Sequence, residues 1–317
     1  MSLPPGVTDD KVQHVVPFVL DLLQQHDAQH AQASEPVPPL IIGLSAPQGA
    51  GKSVLVSLLY KTLTSPPHNH NTVVFSIDDF YLTHDDQVKL AEGHPDNPLL
   101  QHRGQPGTHD VPLMVSAFSA LRKGERVKIP QYNKAAFLGQ GDRMSEWDWQ
   151  DINTDPQRPL RIVLFEGWCV GFRPLPEDAL RGLHAAAASA ARRASDHYQG
   201  RLGHNTLESV RTINEYLKQY DKVTDMLDGF VHIDAAEPLF VYKWRKEQEE
   251  ELRRIKGSGM TEEQVQRFVD GYFPAYELYV EGLRQGVFNH KRHDQQEKRQ
   301  LRLVVGEDRK VTDVLRL

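Results

Sequence analysis

The 317-residue chain is 39% apolar, enough for a sizeable core, and its formal net charge of −6 argues against nucleic acid as its main partner. A single cysteine, Cys169, excludes an intrachain disulfide and points to a reducing compartment. No apolar run is long enough for a transmembrane helix. The stretch 15–23 is interrupted by Pro17 and Asp21 and lacks a basic leader, so the expectation is a soluble cytoplasmic chain with no membrane contact and no obligate protein partner.

Taken in chain order, Val12, Val16, Val19, Leu20 and Leu23 recur at helical spacing and predict an amphipathic helix, with Pro17 setting its first turn or kinking it. A polar, Pro-containing linker (31–39) follows. Short β-branched and apolar runs at 40–44, 72–77, 161–165, 229–233 and 301–305 predict strands separated by helical stretches. That pattern is an α/β fold with a mostly parallel sheet flanked by helices. Residues 91–151 are long, rich in Gly, Pro, Arg and Asp, and weakly periodic; they are expected to form an irregular substrate-binding insert. An Ala-rich insert spans 175–203 and is given no chemistry. Residues 238–256 predict a charged helix, broken by Gly257-Ser258-Gly259, and Asp234 is expected to cap it. Thr261 and Gln264 have the spacing of a capping box for a second helix, with Val265, Phe268, Val269 and Tyr272 as its buried stripe and Pro274 limiting or kinking it. Residues 290–300 are a charge-rich connector. The whole chain, 1–317, is expected to be one domain: N-terminal helix and linker (1–36), the two inserts, and a helical lid region (238–284).

The stretch Ala46-Pro-Gln-Gly-Ala-Gly-Lys-Ser53, after the first apolar run and before a helical one, has the form of a phosphate-binding P-loop with Ala46 in place of the first glycine. Gly49 and Gly51 allow a tight turn, so that N–H groups from Gln48, Gly49, Ala50, Gly51, Lys52, Ser53 and Val54 can face phosphate oxygens. Lys52 can reach the β- and γ-phosphates, and the Ser53 hydroxyl can hold Mg²⁺. The loop tolerates Ala46 if φ stays negative there.

In an open parallel sheet, ligands bind beyond the carboxyl ends of the strands. Asp78 and Asp79 follow the second predicted strand, and Glu166 follows the third. Phosphoryl transfer needs a phosphate cradle, a metal, a proton acceptor and cations. Lys52, Asp78 and Glu166 are therefore the catalytic candidates, with Ser53, Asp78 and Glu166 as candidate Mg²⁺ ligands. One of the two aspartates is expected to cap a helix.

Together with this loop, Ser76-Ile-Asp-Asp-Phe-Tyr-Leu-Thr83, Asn97-Pro-Leu-Leu100, Arg103-Gly-Gln-Pro-Gly-Thr-His-Asp110, Gly141-Asp-Arg143 and Phe165-Glu-Gly-Trp-Cys-Val-Gly-Phe172 resemble glycerate kinases of the plant and fungal type. So do Val241-Tyr-Lys-Trp-Arg245, Gly259-Met260 and the run 268–277. More distantly the layout is similar to uridine kinase, phosphoribulokinase and pantothenate kinase. The resemblance implies a P-loop NTPase fold, ATP as donor and D-glycerate as acceptor. It maps the base to Asp78 and the metal-assisting carboxylate to Glu166. Lid arginines that reach phosphate map to Arg245, Arg253 and Arg254. A glycerate carboxylate needs a cation, for which Arg103, Lys134 and Arg143 are candidates, and Tyr132 can orient a hydroxyl. Asp79 and Tyr81 are expected beside the acceptor. Asn133 stands where relatives often carry Asp, which leaves other small acceptors (a nucleoside or pantothenate) open. A nucleotide-binding regulator with little turnover is the other alternative, and the set Lys52, Ser53, Asp78 and Glu166 argues against it. No N-K-x-D motif follows, since Asn133-Lys-Ala-Ala136 lacks the Asp, which argues against a GTPase switch.

Overall fold

A computed structural model describes residues 7–32, 37–193, 199–257, 259–288 and 298–317. Ser258, residues 33–36 of the linker, residues 194–198 of the Ala-rich insert and residues 290–297 of the connector lie outside the described residues. The elements run α1 (Val12–His30), β1 (Leu40–Ser45), α2 (Lys52–Thr64), β2 (Thr72–Ser76), α3 (His84–Gly93), α4 (Val111–Arg122), β3 (Val127–Ile129), β4 (Tyr132–Asn133), β5 (Asp142–Arg143), β6 (Gln150–Ile152) and β7 (Ile162–Gly167). They continue with α5 (Glu177–Arg192), α6 (Leu207–Leu217), α7 (Asp221–Thr224), β8 (Gly229–Ala235), α8 (Phe240–Lys256), α9 (Glu262–Gln285), β9 (Gln300–Val305) and β10 (Val311–Arg316).

The central sheet has the order β10-β9-β8-β1-β7-β2. β2, β7, β1, β8 and β9 are mutually parallel, and β10 closes one edge antiparallel to β9. Side chains alternate across a strand, so each core strand feeds two cores. Leu40, Ile42 and Leu44 of β1, with Ile162 and Leu164 of β7, join the core under α1 and α2. Ile41, Val163 and Phe165 face the other way, into the core under α4, α6 and α9. There Phe165 meets Phe75 and Phe118 in tilted and edge-on contacts at 5.6 and 4.9 Å. Truncating a phenylalanine so placed costs about 3–5 kcal/mol.

Several expectations change. The segment 91–151 is not irregular throughout: it contains α4, whose Asp110 side chain accepts from Leu113 N–H and whose Val111, Met114, Ala117, Phe118 and Leu121 are buried. Asp234 does not cap α8. It lies in β8, 2% exposed, with its carboxylate gripped by Arg284 at 2.9 and 3.0 Å and by Arg302 at 2.6 and 3.0 Å. α8 instead begins after Leu239 with no side-chain cap. α9 continues past Pro274 to Gln285, and α1 contains Pro17 in its second turn. The Thr261–Gln264 capping box is present. Among the described residues no helix is long and apolar enough to cross a membrane.

Candidate active site

The loop between β1 and α2 takes the conformation its glycines allow. Gly49 and Gly51 have φ of 80° and 89°, and Gly51 forms the left-handed N-cap of α2. Ala46 is buried and is not among the positive-φ residues, so its methyl group is accommodated. Gly49 is also required for space: a Cβ there would lie 2.6 Å from Trp244 Cβ on α8. From the other side, Tyr276 of α9 accepts the Gln48 N–H at 3.3 Å.

The loop opens onto a cleft of about 1210 Å³, lined by the loop, by α3 and the segment after it, by the 134–141 loop and by α8 and α9. Gln48, Gly49, Gly51, Lys52, Ser53 and Val54 line it, as do Asp78, Tyr81, Arg103, Lys134 and Arg245. Ala50 is fully buried behind the loop, its N–H bonded to Pro47 O.

Two ion pairs stand at the carboxyl ends of β2 and β7. Lys52 pairs with Glu166, and Lys134 reaches Asp78 at 2.5 Å. Burial alone would raise the Asp78 carboxyl, but the Lys134 and Lys52 ammoniums outweigh it and hold it below the usual carboxylate range. Asp79 is the opposite case. Its carboxylate turns back to accept the Ser76 N–H at 2.8 Å, completing a capping box on the short 3₁₀ turn Ile77–Phe80. Burial, reinforced by the Asp78 and Glu166 charges and only partly offset by that hydrogen bond, pushes it up to about 6. Asp79 does not line the cleft.

Beneath Tyr81 lies His109, stacked at 4.4 Å and fully enclosed, its Nδ1 paired with Tyr220 OH at 2.8 Å. Burial lowers its pKa to about 4, so this imidazole is neutral at pH 7. Tyr132 meets Tyr81 edge-on and carries the Arg103 guanidinium 5.7 Å above its ring, behind the cleft wall. Arg103 itself donates to the backbone carbonyls of Gly139, at 2.7 Å, and Gln140. Arg143 is likewise engaged: it donates to Tyr81 O at 2.9 and 3.2 Å and to Asp110 at 3.1 Å, and it does not line the cleft.

On the α8–α9 side, Arg245 pairs with Glu249 at 2.5 Å, sits 4.6 Å above the Phe268 ring and lines the cleft. Glu249 is buried and also accepts the Met260 N–H at 3.1 Å, which ties α8 to the start of α9. Arg253 is exposed and does not line the cleft, and Arg254 pairs with Glu251 on the outer face of α8. Arg267 of α9 does line it. Sequence reasoning passed over Arg267; its place five residues before Tyr272, near the stripe of α9, was the available signal. The turn Arg103-Gly104-Gln105 joins the insert's wall of the cleft to α9. Trp168 Nε1 donates to Gly104 O at 3.2 Å, Gln105 Nε2 donates to Gly271 O at 2.7 Å, and a Cβ on Gly104 would lie 2.3 Å from Tyr272 OH.

This arrangement offers an anion cradle at a helix N-terminus, an ionised carboxylate, and cations on both walls. Those are the parts of a phosphoryl-transfer site. No family model matches the chain. It is 41% identical over 244 residues to the kinase mug58 of Schizosaccharomyces pombe, covering 76% of this chain and 81% of that one. It is 35% identical over 268 residues to the chloroplastic D-glycerate 3-kinase of Arabidopsis thaliana, covering 82% of this chain and 52% of that one. The solved structure of D-glycerate 3-kinase from Cryptococcus neoformans superposes with a TM-score of 0.85 at 32% identity, over 98% of this chain and 100% of that one. With the loop, the paired carboxylates and the parallel sheet in place, these likenesses show that the chain belongs to the family of ATP-dependent P-loop kinases that includes the D-glycerate 3-kinases.

Proposed function

We propose that the chain transfers the γ-phosphoryl group of ATP to the 3-hydroxyl of D-glycerate. The observation that carries this reading is the pair Asp78–Lys134: a carboxylate kept ionised in the cleft, bonded to a cation from the acceptor-side insert. Asp78 takes the proton of the acceptor hydroxyl, whose oxygen bonds to the γ-phosphorus as the bond to the β,γ-bridging oxygen breaks and ADP leaves. Lys52 follows the phosphate oxygens, and Glu166, its partner, holds it at the loop until they arrive.

The residues present fit Mg²⁺. Among the described residues no group of three His, Cys, Asp or Glu is placed to enclose a metal ion. A magnesium ion held mainly by phosphate oxygens and water needs only one or two protein oxygens, which Ser53 with Glu166 or Asp78 can supply. When bound, it neutralises charge on the β- and γ-oxygens.

Arg103 and Lys134 are the cations for the glycerate carboxylate. Arg103 now donates to two neutral carbonyls, and a carboxylate is the stronger partner for a guanidinium. Arg143 serves the same wall by fixing Tyr81 and Asp110. Arg245 and Arg267 approach the phosphates from the lid, whose closure excludes water. The test is ATP-dependent product formation with D-glycerate, L-glycerate, uridine and pantothenate side by side. Phosphorylated D-glycerate is expected; product from another acceptor and none from D-glycerate would overturn the assignment.

A further inference from the structure

Arg309 lies in the turn between β9 and β10, 260 residues from the P-loop in sequence and outside the cleft lining. It is one of the few non-glycine residues with positive φ, at 65°. Its Nε donates to Gly49 O at 2.7 Å and its Nη2 to Glu247 of α8 at 2.6 Å. The guanidinium lies 5.6 Å above the Trp244 ring, and Trp244 Nε1 donates to Glu307 O in the same turn at 2.6 Å. The turn is anchored from beneath by Lys11, 3% exposed, which donates to Arg309 O at 2.9 Å.

Gly49 is therefore held on two sides: its Cα by Trp244, its carbonyl by Arg309. A phosphate cradle works only while its N–H groups face the anion and its carbonyls face away. At the Gly49–Ala50 peptide the Ala50 N–H bond to Pro47 O, at 3.2 Å, opposes a turn, but glycine at φ of 80° adds no side chain to stop the peptide plane from turning. A carbonyl turned inward would set an oxygen dipole against the phosphate. A charged donor on that carbonyl prevents the turn, and Glu247 holds the donor in place.

We infer that Arg309 is a positioning residue for nucleotide binding: its fork keeps the Gly49 carbonyl outside the anion cradle and fastens the loop to α8. The inference rests on the P-loop's being the ATP site. The test is ATP affinity by calorimetry with Mg²⁺ present, alongside the KM for D-glycerate and the unfolding temperature, for the wild type, Arg309→Met, Arg309→Lys and the double variant Arg309→Met/Glu247→Gln. Arg309→Met is expected to raise the Kd for ATP about 10–100-fold, the scale of a lost charged hydrogen bond. The KM for D-glycerate and the unfolding temperature should change little. Arg309→Lys, which can satisfy one partner at a time, should fall between. Adding Glu247→Gln to Arg309→Met should leave the Kd where Arg309→Met alone put it. An ATP Kd within twofold of wild type in Arg309→Met overturns the inference. So does a loss of affinity that tracks a loss of thermal stability and of acceptor binding in both Arg309 variants. A wild-type chain that binds no ATP overturns the P-loop reading itself, and the inference with it.

Discussion

Asp79→Asn separates the two adjacent aspartates by pH. In the folded chain Asp79 titrates near 6, against 3.8 for an unperturbed aspartate. A folded pKa raised in this way stabilises the fold below about pH 4, relative to higher pH, and that contribution is lost as pH rises through 6. Asparagine has the same shape and can still accept the Ser76 N–H through Oδ1, but it has no charge to hold between Asp78 and Glu166. The rise of the Asp79 pKa sets a ceiling of roughly 3 kcal/mol, and partial exposure brings the expected gain to roughly 1–3 kcal/mol above pH 7. In a chain of this size that is about 2–6 °C in unfolding temperature. The assay is thermal unfolding of wild type and Asp79→Asn in parallel from pH 4.5 to 8. The difference, variant minus wild type, should grow from pH 4.5 to about 6 and level off by about pH 7. An offset that is constant with pH, or one that shrinks as pH rises, would refute a raised Asp79 pKa. The same variant should keep turnover within a few-fold of wild type, whereas Asp78→Asn should lose ~10²–10⁴-fold in kcat with little change in stability.

Lys52→Ala should abolish transfer and leave a folded chain by circular dichroism; near-normal turnover would contradict the cradle. Lys134→Met removes the largest charge that keeps Asp78 ionised, so the acid limb of kcat/KM should move to higher pH; an unmoved limb would separate Lys134 from the base. Arg103→Ala should raise the KM for D-glycerate by about tenfold or more, the scale of one charged hydrogen bond, with the KM for ATP nearly unchanged in steady-state assays.

What could be read from the chain was local. A phosphate cradle needs consecutive backbone N–H groups, so 46–53 declares itself in eight residues. The same holds for Thr261 with Gln264, three apart, and for acidic residues directly after a β-branched run. α4 was legible too: Asp110, Pro112 and apolar residues at 111, 114, 117, 118 and 121 carry cap, start and period. The Gly- and Pro-rich sequence on both sides hid it when 91–151 was taken as one segment. Asp234 was misplaced for a different reason. Its partners Arg284 and Arg302 lie 50 and 68 residues away, and only the sheet and α9 bring them to it. The partners of Arg103, and of Arg143 apart from Asp110, are backbone carbonyls, which no residue pattern marks. Arg267 and Arg309 were likewise ordinary surface arginines until tertiary contacts placed one on the cleft and the other on Gly49.

The two glycine contacts, Gly49 on Trp244 and Gly104 on Tyr272, fix where the α8–α9 pair can bend. The P-loop backbone packed against the Cβ and main chain of the fully buried Trp244 leaves the root of α8 little freedom to slide, and the Gly104 turn holds α9 at Tyr272 in the same way. Any bend of the pair therefore falls beyond Gln248 of α8 and before Phe268 of α9. That part of α8 is a lever about 12 Å long, and a bend of about 20° at its base would carry the tip about 4 Å. Arg245, next to Trp244, belongs to the root of α8 and faces the cleft from a fixed position. Met260, Gln264 and Arg267 lie beyond that point and line the same cleft. Substitutions at those three positions can therefore retune what the cleft admits, while the root keeps its grip on the phosphate loop.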